Sequence, residues 1–211
     1  MIPDKSIDLV LTDPPYEFDD SGGGGAFGDK KREYHREMKD NRNAFKDGVS
    51  NDIFKEFIRI MKRLNCYIFC NKNQILQILD FFKNYNYDIL SYHKTNPTPT
   101  CNNKYLSDTE YIIYIREKGV KLYGDYHSKK KYFIQENAKS KWNHPTIKPM
   151  NIIQTLIENS TLDNELVLDP FMGSWTTARA CKDLGRDFIG FELSEEYCKI
   201  GEQRLAQQNL F

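Results

Sequence analysis

Short apolar runs and stretches of helical periodicity alternate along much of the chain. Mostly apolar runs of three to six residues that stop at a polar or turn-forming residue are typical of buried strands. We predict such strands at residues 7–12, 66–70, 87–92, 111–115, 166–168 and 188–191. The first of them stops at Asp13-Pro14-Pro15, because proline cannot continue a strand.

Apolar residues recur at three- and four-residue spacing between most of these runs, which predicts amphipathic helices. The predicted helices run from residue 51 to about 64, and over 74–85, 149–159, 175–184 and 194–207. Asn51 or Asp52 is the expected N-cap of the first helix, and Gly185 ends the fourth. The residues expected to face the core in the first two helices are Ile53, Phe54, Phe57, Ile58, Ile60, Met61, Leu64, Ile75, Leu76, Ile78, Leu79 and Phe82.

Strands that alternate with helices of this length predict an α/β fold with a mostly parallel sheet and helices on both faces. Two polar stretches interrupt the pattern. Residues 17–50 contain four consecutive glycines at 22–25, and residues 93–142 become basic and tyrosine-rich towards their end. We therefore expect a single domain over residues 1–211, with a surface loop at about 17–50 and an insertion at about 93–142.

Composition narrows the class of protein further. The chain carries 30 Lys+Arg and 30 Asp+Glu, and this neutral balance does not exclude nucleic acid, because binding needs only a basic face. No apolar run reaches 18 residues, so we expect no membrane span. Five cysteines without a CxxC pair indicate reduced thiols in a cytosol, and four histidines without ligand spacing argue against a metal site.

The first candidate site is Asp13-Pro14-Pro15-Tyr16, at the carboxyl end of a predicted strand. The exocyclic amine of a nucleic-acid base is a poor nucleophile, because its lone pair is delocalised into the ring. Asp13 and the Pro14 carbonyl would accept its two hydrogens and favour a pyramidal nitrogen, while Tyr16 would stack on a base turned out of its helix. The alternative is an ordinary turn in which Asp13 caps a backbone amide.

The second candidate site is the strand–helix turn at residues 168–174, followed one strand later by Glu192. Gly173 would let backbone amides approach a ligand closely, and an acidic residue after the next strand can accept both hydroxyls of a ribose. The alternative is a plain turn capped by Ser174 or Thr176, with Glu192 exposed to solvent.

The third candidate site is His144-Pro145-Thr146-Ile147-Lys148-Pro149, which opens a predicted helix. Helix amides and Lys148 would face an anion such as a carboxylate there. The alternative is a plain helix entry with a solvated lysine.

In combination, the three segments resemble the beta class of S-adenosylmethionine-dependent DNA adenine-N6 and cytosine-N4 methyltransferases. In that class the catalytic D-P-P-Y, here residues 13–16, precedes the cofactor motif D-P-F-x-G-S-G, which residues 169–174 match. Residues 144–149 match the family's H-P-T-x-K-P, and Gly190-Phe191-Glu192 matches its acidic ribose-binding position. The resemblance implies a circularly permuted, Rossmann-like methyltransferase fold.

The resemblance also implies the reaction: a methyl group moves from S-adenosylmethionine to N6 of a flipped adenine in DNA. Asp13, Pro14, Pro15 and Tyr16 would then be the catalytic residues. Direct transfer needs no covalent enzyme intermediate, so no cysteine has to act as a nucleophile. The residues expected to bind the cofactor are Thr12, Asp13, His144, Thr146, Lys148, Asp169, Phe171, Gly173, Ser174, Trp175, Thr176 and Glu192.

The chain departs from the family pattern in two places. Trp175 stands where the cofactor turn of relatives has a second glycine, and its side chain would either crowd the pocket or form one of its walls. Relatives also carry a strand and a G-D-x-x-x segment before the catalytic strand, whereas Met1 lies only a few residues before it here. We expect both departures to bear on cofactor affinity.

The family places target recognition between the catalytic motif and H-P-T-x-K-P, which here means the loop at 17–50 and the insertion at 93–142. Double-stranded DNA is the expected partner, a homodimer is left open, and the resemblance implies a cytoplasmic protein of bacterial or phage origin. Two alternatives keep the chemistry but change the target, to cytosine N4 or to a base in RNA. A third is a catalytically impaired relative that binds cofactor or DNA without turnover. Lysines suit phosphates and aromatic side chains suit unstacked bases, but for most of the individual residues an ordinary solvated surface charge is the favoured alternative. The candidate contacts are Lys30, Lys31, Arg32, Arg36, Lys39, Arg42, Lys46, Tyr126, Lys129, Lys130, Lys131, Tyr132 and Phe133.

Overall fold

The computed structural model of the protein describes residues 1–15, 49–97, 99, 103, 105–137 and 147–207. Within these ranges the strands are β1 (Leu9–Thr12), β2 (Asn65–Cys70), β3 (Asn86–Lys94), β4 (Thr109–Arg116), β5 (Tyr132–Gln135), β6 (Leu166–Asp169) and β7 (Asp187–Gly190). The helices are α1 (Asn51–Ile60), α2 (Ile75–Phe81), α3 (Met150–Ser160), α4 (Thr176–Leu184) and α5 (Glu195–Ala206).

The seven described strands form one sheet in the order β5-β3-β4-β2-β1-β6-β7. β1 pairs in parallel with β2 and β6, β6 with β7, and β3 with β5. β4 runs antiparallel to both of its neighbours, β2 and β3. The carboxyl ends of the parallel strands therefore lie at one edge of the sheet, together with the amino end of β4. We call this the carboxyl edge.

Alternate residues of the central strands face two separate cores, because successive side chains of a strand point to opposite faces. On one face Val10 and Ile68 pack against Phe54 and Phe57 of α1 and against Ile78 of α2. On the other face Leu9, Leu11, Tyr67 and Phe69 pack against α3 and α4 through Ile152, Leu156, Ala180 and Cys181. Helices on both faces leave the ends of the strands, rather than the faces, open for a site.

The sheet confirms the predicted α/β fold with a mostly parallel sheet, and the predicted strands are present with ends that differ by at most two residues. β5 was not predicted. It is an edge strand whose Tyr132 and Ile134 are 50% and 65% exposed. A half-exposed edge strand needs no continuous apolar run, so the polar and tyrosine-rich sequence around it gave no strand signal.

Three details of the helix prediction are wrong. Helix α1 ends at Ile60 rather than at about residue 64, although Met61 and Leu64 are buried as expected. The N-cap of α1 is Ser50, whose hydroxyl accepts a hydrogen bond from the Asp52 amide at 3.1 Å, rather than Asn51 or Asp52. Helix α2 spans only Ile75–Phe81 and has no side-chain cap, and Leu76, expected in the core, is 77% exposed. The apolar content of this segment exceeds what one face of a two-turn helix can bury.

The caps of the last two helices follow the sequence. Gly185 ends α4 with a left-handed φ of 67°, and its amide donates to carbonyls of the last helical turn. Ser194 caps α5, and its hydroxyl accepts a hydrogen bond from the Tyr197 amide at 3.4 Å.

Most of the predicted loop at 17–50 lies outside the described residues, and so do residues 138–142 at the end of the predicted insertion. The rest of that insertion contributes β4 and β5 to the sheet. In the part of the chain that the structure describes, every helix is too short or too polar to cross a membrane.

Candidate active site

The first and second candidate segments meet at the carboxyl edge of the sheet. β1 and β6 are adjacent and parallel, with Val10 opposite Leu168. Asp13 directly follows β1, and Asp169 is the last residue of β6. Pairing of these two strands brings both Asp-Pro sequences together, although they are separated by more than 150 residues of sequence.

The turn after β1 is tied to the neighbouring part of the sheet. The Pro15 carbonyl accepts a hydrogen bond from Nε2 of Gln74 at 3.2 Å, and Gln74 is itself buried just before α2. Proline fixes its own φ, and this tertiary contact fixes the direction in which the chain leaves the turn. Asp13 and the Pro14 carbonyl are therefore presented by a braced backbone.

A buried ion pair holds the Asp13 carboxylate. Nζ of Lys148 lies 2.7 Å from Oδ2 of Asp13 and 3.2 Å from Oε2 of Glu110. The Lys148 ammonium also lies 5.3 Å from the centre of the Phe69 ring. Glu110 is held on its other oxygen by Lys94, at 2.6 Å. Lys148 is thus a buried lysine between two carboxylates rather than the solvated lysine of the plain helix entry.

The charges in this group stabilise one another. Burial lowers the pKa of Lys148, but the carboxylates of Asp13 and Glu110 outweigh it and raise that pKa above its ordinary value. Burial raises the pKa of Glu110, but Lys148 and Lys94 outweigh it and lower that pKa. Lys148 therefore stays protonated and Glu110 stays ionised over the neutral range.

Asp169 is buried and held mainly by neutral donors. Oγ1 of Thr177 in α4 donates to its Oδ2 at 2.7 Å, and the Phe171 amide donates to its Oδ1 at 3.1 Å. Burial raises the pKa of Asp169 to about 6, and the nearby Asp13 charge adds to this, while the Thr177 and Phe171 hydrogen bonds oppose it. The carboxylate binds the turn back onto the first turn of α4.

The turn between β6 and α4 has two residues with left-handed backbone angles. Gly173 has a φ of 47°, and Trp175, the N-cap of α4, has a φ of 59° and a ψ of 30°. The Trp175 amide donates to the Met172 carbonyl at 2.8 Å, which closes the turn. Left-handed angles are ordinary for glycine and cost a bulky residue about 1–2 kcal/mol. The structure therefore gives Trp175 a left-handed backbone conformation that a glycine would adopt without strain.

The Trp175 indole packs against α5. A Cβ atom on Gly201 would lie 2.0 Å from Cδ2 of the indole, so only a glycine fits at this point of the helix. The indole nitrogen is buried and has no hydrogen-bond partner among the described residues. Of the two outcomes considered for Trp175, the packing on Gly201 makes it part of the wall between the turn and α5.

Glu192 bridges the turn and the start of α5. Its Oε2 accepts a hydrogen bond from the Gly173 amide at 2.7 Å, and its Oε1 accepts one from the Ser194 amide at 2.8 Å. An ionised carboxylate has about four lone-pair sites, so two such bonds leave capacity for further donors. The solvent-exposed Glu192 of the alternative reading is therefore wrong: this residue is anchored to the candidate cofactor turn.

Ser174 and Thr176 lie at the base of the same turn. Their hydroxyl oxygens are 3.0 Å apart, and neither caps α4 through its side chain. Arg204 of α5 reaches across to the Ser174 carbonyl and to Oγ1 of Thr176, the latter at 3.3 Å. Burial lowers the pKa of this guanidinium, and the nearby Arg179 charge adds to the effect.

The structure brings most of the predicted site residues to one edge. Thr12, Asp13, Pro14, Pro15, Lys148, Asp169, Phe171, Gly173, Ser174, Trp175, Thr176 and Glu192 all follow or flank the ends of β1, β6 and β7. Tyr16, His144 and Thr146 lie outside the described residues, and their roles stay predictions. The cofactor-binding roles of the other residues stay predictions as well.

Sequence reasoning missed four residues that support this site. Glu110 holds Lys148, Lys94 holds Glu110, Thr177 holds Asp169, and Arg204 holds the turn. Glu110 had one detectable signal: it is a carboxylate beside an otherwise apolar strand, where an unpaired charge is costly. The others depend on contacts between distant segments and carry no local signal.

The cysteines and the candidate metal ligands are the last groups that the sequence singled out. Cys66, Cys70, Cys181 and Cys198 are free thiols there, and Cys101 lies outside the described residues. No group of three or more His, Cys, Asp or Glu side chains suited to a metal ion occurs in the described ranges.

The chain is similar in sequence to known DNA methyltransferases. Residues 7–203 match the model of the N6/N4 methyltransferase family, described as DNA methylase. The type II methyltransferase M2.LlaDCHI of Lactococcus lactis subsp. cremoris is 29% identical over 225 residues, which cover 95% of this chain and 82% of that protein.

Two solved structures of DNA methyltransferases have a similar fold. The complex of M1.HpyAVI with SAM has a TM-score of 0.72 at 25% identity and covers 96% of this chain and 90% of its own. The cytosine-N4-specific PvuII DNA methyltransferase has a TM-score of 0.70 at 17% identity and covers 100% of this chain and 83% of its own.

The chain therefore belongs to the N6/N4 DNA methylase family, whose model spans nearly its whole length. It is a DNA methyltransferase that acts on N6 of adenine or N4 of cytosine, and it has the circularly permuted, Rossmann-like fold that the sequence predicted.

Proposed function

We propose that this protein methylates N6 of adenine in double-stranded DNA, with S-adenosylmethionine as the methyl donor. The observation that carries the proposal is the ion-paired Asp13 carboxylate at the end of β1, directly beside the turn that follows β6. Adenine is favoured over cytosine because residues 13–16 are D-P-P-Y. In the methyltransferase class that the sequence resembles, D-P-P-Y usually accompanies adenine N6 methylation, whereas S-P-P-Y is commoner for cytosine N4.

The residues of the second segment fit S-adenosylmethionine. Its ribose diol needs an acceptor, and Glu192 keeps lone pairs beyond its two amide bonds. Phe171, Gly173 and Ser174 would surround its methionine part. Trp175 and Thr176 would complete that end, and the buried indole nitrogen is a donor without a partner among the described residues. When bound, the cofactor supplies an electrophilic methyl carbon next to its sulfonium.

Asp13 and Pro14 prepare the amine. The carboxylate and the Pro14 carbonyl accept its two hydrogens, so the nitrogen lone pair is withdrawn from the ring and points away from the two acceptors. Lys148 keeps the Asp13 carboxylate oriented through Oδ2. Tyr16 would stack on the flipped base, while His144, Thr146 and Lys148 would face the cofactor's carboxylate.

Nucleoside mass spectrometry tests the reaction and the base together. Unmethylated genomic DNA is incubated with the protein and S-adenosylmethionine, then hydrolysed to nucleosides. We expect N6-methyladenine with the wild type and none with an Asp13→Ala preparation purified in the same way, which controls for a contaminating methylase.

The other results are equally informative. N4-methylcytosine would keep the chemistry and change the base. Methylation of RNA in place of DNA would change the substrate. Absence of any methylated base, together with measurable cofactor binding, would contradict turnover and favour the impaired relative. Sedimentation of the protein with and without duplex DNA tests the homodimer, which stays a prediction.

A further inference from the structure

Four side chains of alternating charge lie in a row along the carboxyl edge of the sheet. Lys94 contacts Glu110 at 2.6 Å, Glu110 contacts Lys148 at 3.2 Å, and Lys148 contacts Asp13 at 2.7 Å. The row connects the end of β3 with the end of β1. It starts beside the segment expected to recognise DNA and ends at the proposed catalytic carboxylate.

Tertiary structure places each member. Lys94 is the last residue of β3. Glu110 is the second residue of β4, and the strand register pairs it with Tyr92 of β3. Lys148 lies two residues before α3. The side chains are 17%, 17%, 9% and 29% exposed for Lys94, Glu110, Lys148 and Asp13. Ion pairs this far from solvent are costly to assemble, and a hydrophobic replacement is often neutral for stability. Stability alone therefore does not account for four charges at this place, and a functional role is the better explanation.

We propose that Lys94, Glu110 and Lys148 are positioning residues, which hold the Asp13 carboxylate ionised and in register with the target amine. The proposal rests on the proposed function, and it assigns Lys148 to the amine acceptor in addition to its predicted role at the cofactor. Lys148 touches Asp13 directly, while Lys94 and Glu110 act through Lys148.

Several other groups bear on the charge of Asp13. Asp169 of β6 and Cys70 of β2 interact with it electrostatically, and Tyr92 of β3 interacts with Glu110 and Lys148. Burial raises the pKa of the Cys70 thiol to about 12 and that of Tyr92 to about 12, so both stay neutral near pH 7. Lys148 is therefore the cation that offsets the nearby carboxylates Glu110 and Asp169.

This arrangement predicts opposite effects for two neutral substitutions. Lys148→Met removes this cation while the Glu110 and Asp169 carboxylates remain, so Asp13 is protonated more easily. Glu110→Gln removes a neighbouring negative charge and makes protonation of Asp13 harder. A residue that serves only the fold would lower the rate in both variants without moving the pH dependence in opposite directions.

The experiment is the pH profile of single-turnover methyl transfer at saturating cofactor and DNA. We expect the acid limb of Lys148→Met to move up by about one pH unit, which is a roughly tenfold loss of rate below that limb. The acid limb of Glu110→Gln should move down, and the double variant should fall between the two single variants. Lys148→Arg should restore most of the wild-type profile, and Lys83→Met, an exposed lysine of an i,i+3 pair, is the control.

Cofactor affinity measured at equilibrium separates the two roles of Lys148. An unmoved acid limb in both Lys148→Met and Glu110→Gln would overturn the proposal, and so would limbs that move in the same direction. A large loss of S-adenosylmethionine affinity in Lys148→Met without a change of pH profile would leave only the cofactor role.

A readout without turnover keeps the proposal separate from the proposed function. Carboxyl-carbon NMR titration follows protonation of Asp13 directly, and the Asp13→Asn spectrum assigns its signal. If the wild type methylates no base, the proposed function fails, but the titration midpoints of Lys148→Met and Glu110→Gln should still differ from wild type in opposite directions. Equal midpoints in all three proteins would overturn the proposal whatever the activity.

Discussion

The carboxylates that follow β1 and β6 are neighbours in the sheet, but they are held by different kinds of group. Asp13 is bound by the ammonium of Lys148, whereas Asp169 is bound by a hydroxyl and a backbone amide. Glu192, after β7, resembles Asp169 because two amides hold it. A cation favours the ionised carboxylate strongly, while neutral donors in a buried place do so only in part.

The difference in binding partners suggests different roles for the two sides: catalysis for Asp13 and support of the turn after β6 for Asp169 and Glu192. In the proposed function Asp13 accepts hydrogens from the substrate amine, so its carboxylate has to be ionised at working pH, and the Lys148 ammonium favours that form. The carboxylates of the cofactor turn fix the backbone between β6 and α4 and its contact with α5. Changes on the β1 side should therefore appear in the rate and its pH dependence, and changes on the β6 side in cofactor affinity and stability.

The largest expected effects come from removing one carboxylate on each side, Asp13 after β1 and Glu192 after β7. Asp13→Ala should lower methyl transfer by at least about 100-fold, because one acceptor of the amine is lost, while S-adenosylmethionine binding is largely kept. Glu192→Ala should instead weaken cofactor binding, because the Gly173 and Ser194 amides lose their acceptor and the turn loosens. Isothermal titration and single-turnover assays measure both quantities.

Equal loss of cofactor affinity in Asp13→Ala and Glu192→Ala would remove this division of roles. Glu195→Ala is the matched control, since Glu195 lies three residues further along, in the first turn of α5.

The next effect concerns the pH dependence of stability. The pKa of Asp169 is raised to about 6 in the folded protein from 3.8, so its contribution to stability is complete below pH 4 and is lost as the pH rises through 6. Asp169→Asn lacks this loss. We expect the unfolding free energy of the variant, relative to that of the wild type, to be higher by about 3 kcal/mol at pH 7 than at pH 4.

Urea unfolding at a series of pH values makes the measurement. A constant difference between the two proteins across this range would mean that Asp169 ionises in the folded state as easily as in the unfolded chain.

The smallest expected effect concerns the packing of the turn on α5. Gly201→Ala places a Cβ where the structure leaves 2.0 Å to the Trp175 indole, so we expect a loss of about 1–3 kcal/mol in unfolding free energy. In a Trp175→Gly background the same Gly201→Ala change should cost little, because the indole with which the new Cβ would clash is gone.

Thermal unfolding of the four proteins in this cycle gives the coupling. Additive losses would show that the indole moves away at little cost. Cofactor titration of Trp175→Gly alone should show weaker binding, because the indole and its buried N–H donor are lost. A large gain in affinity would mean instead that the indole obstructs the cofactor pocket.

The sequence by itself determined the class of fold, the family and the segments of the site. Strand and helix periods are local properties, and D-P-P-Y, H-P-T-x-K-P and the D-P-F turn are each contiguous, so reading the chain was enough to find them. The caps at Gly185 and Ser194 were predictable for the same reason. The N-cap Ser50 was missed because Ser, Asn and Asp follow one another there, and all three are good caps.

Only the tertiary structure decided which charges face one another. Lys94, Glu110 and Lys148 are distant in sequence from Asp13, and their contact follows from the position of β4 between β2 and β3. The edge strand β5, the exposed Leu76 and the close packing of Trp175 on Gly201 depend in the same way on what covers each element. Electrostatic energy depends on distance and burial in space, and a linear sequence specifies neither until the strands have paired.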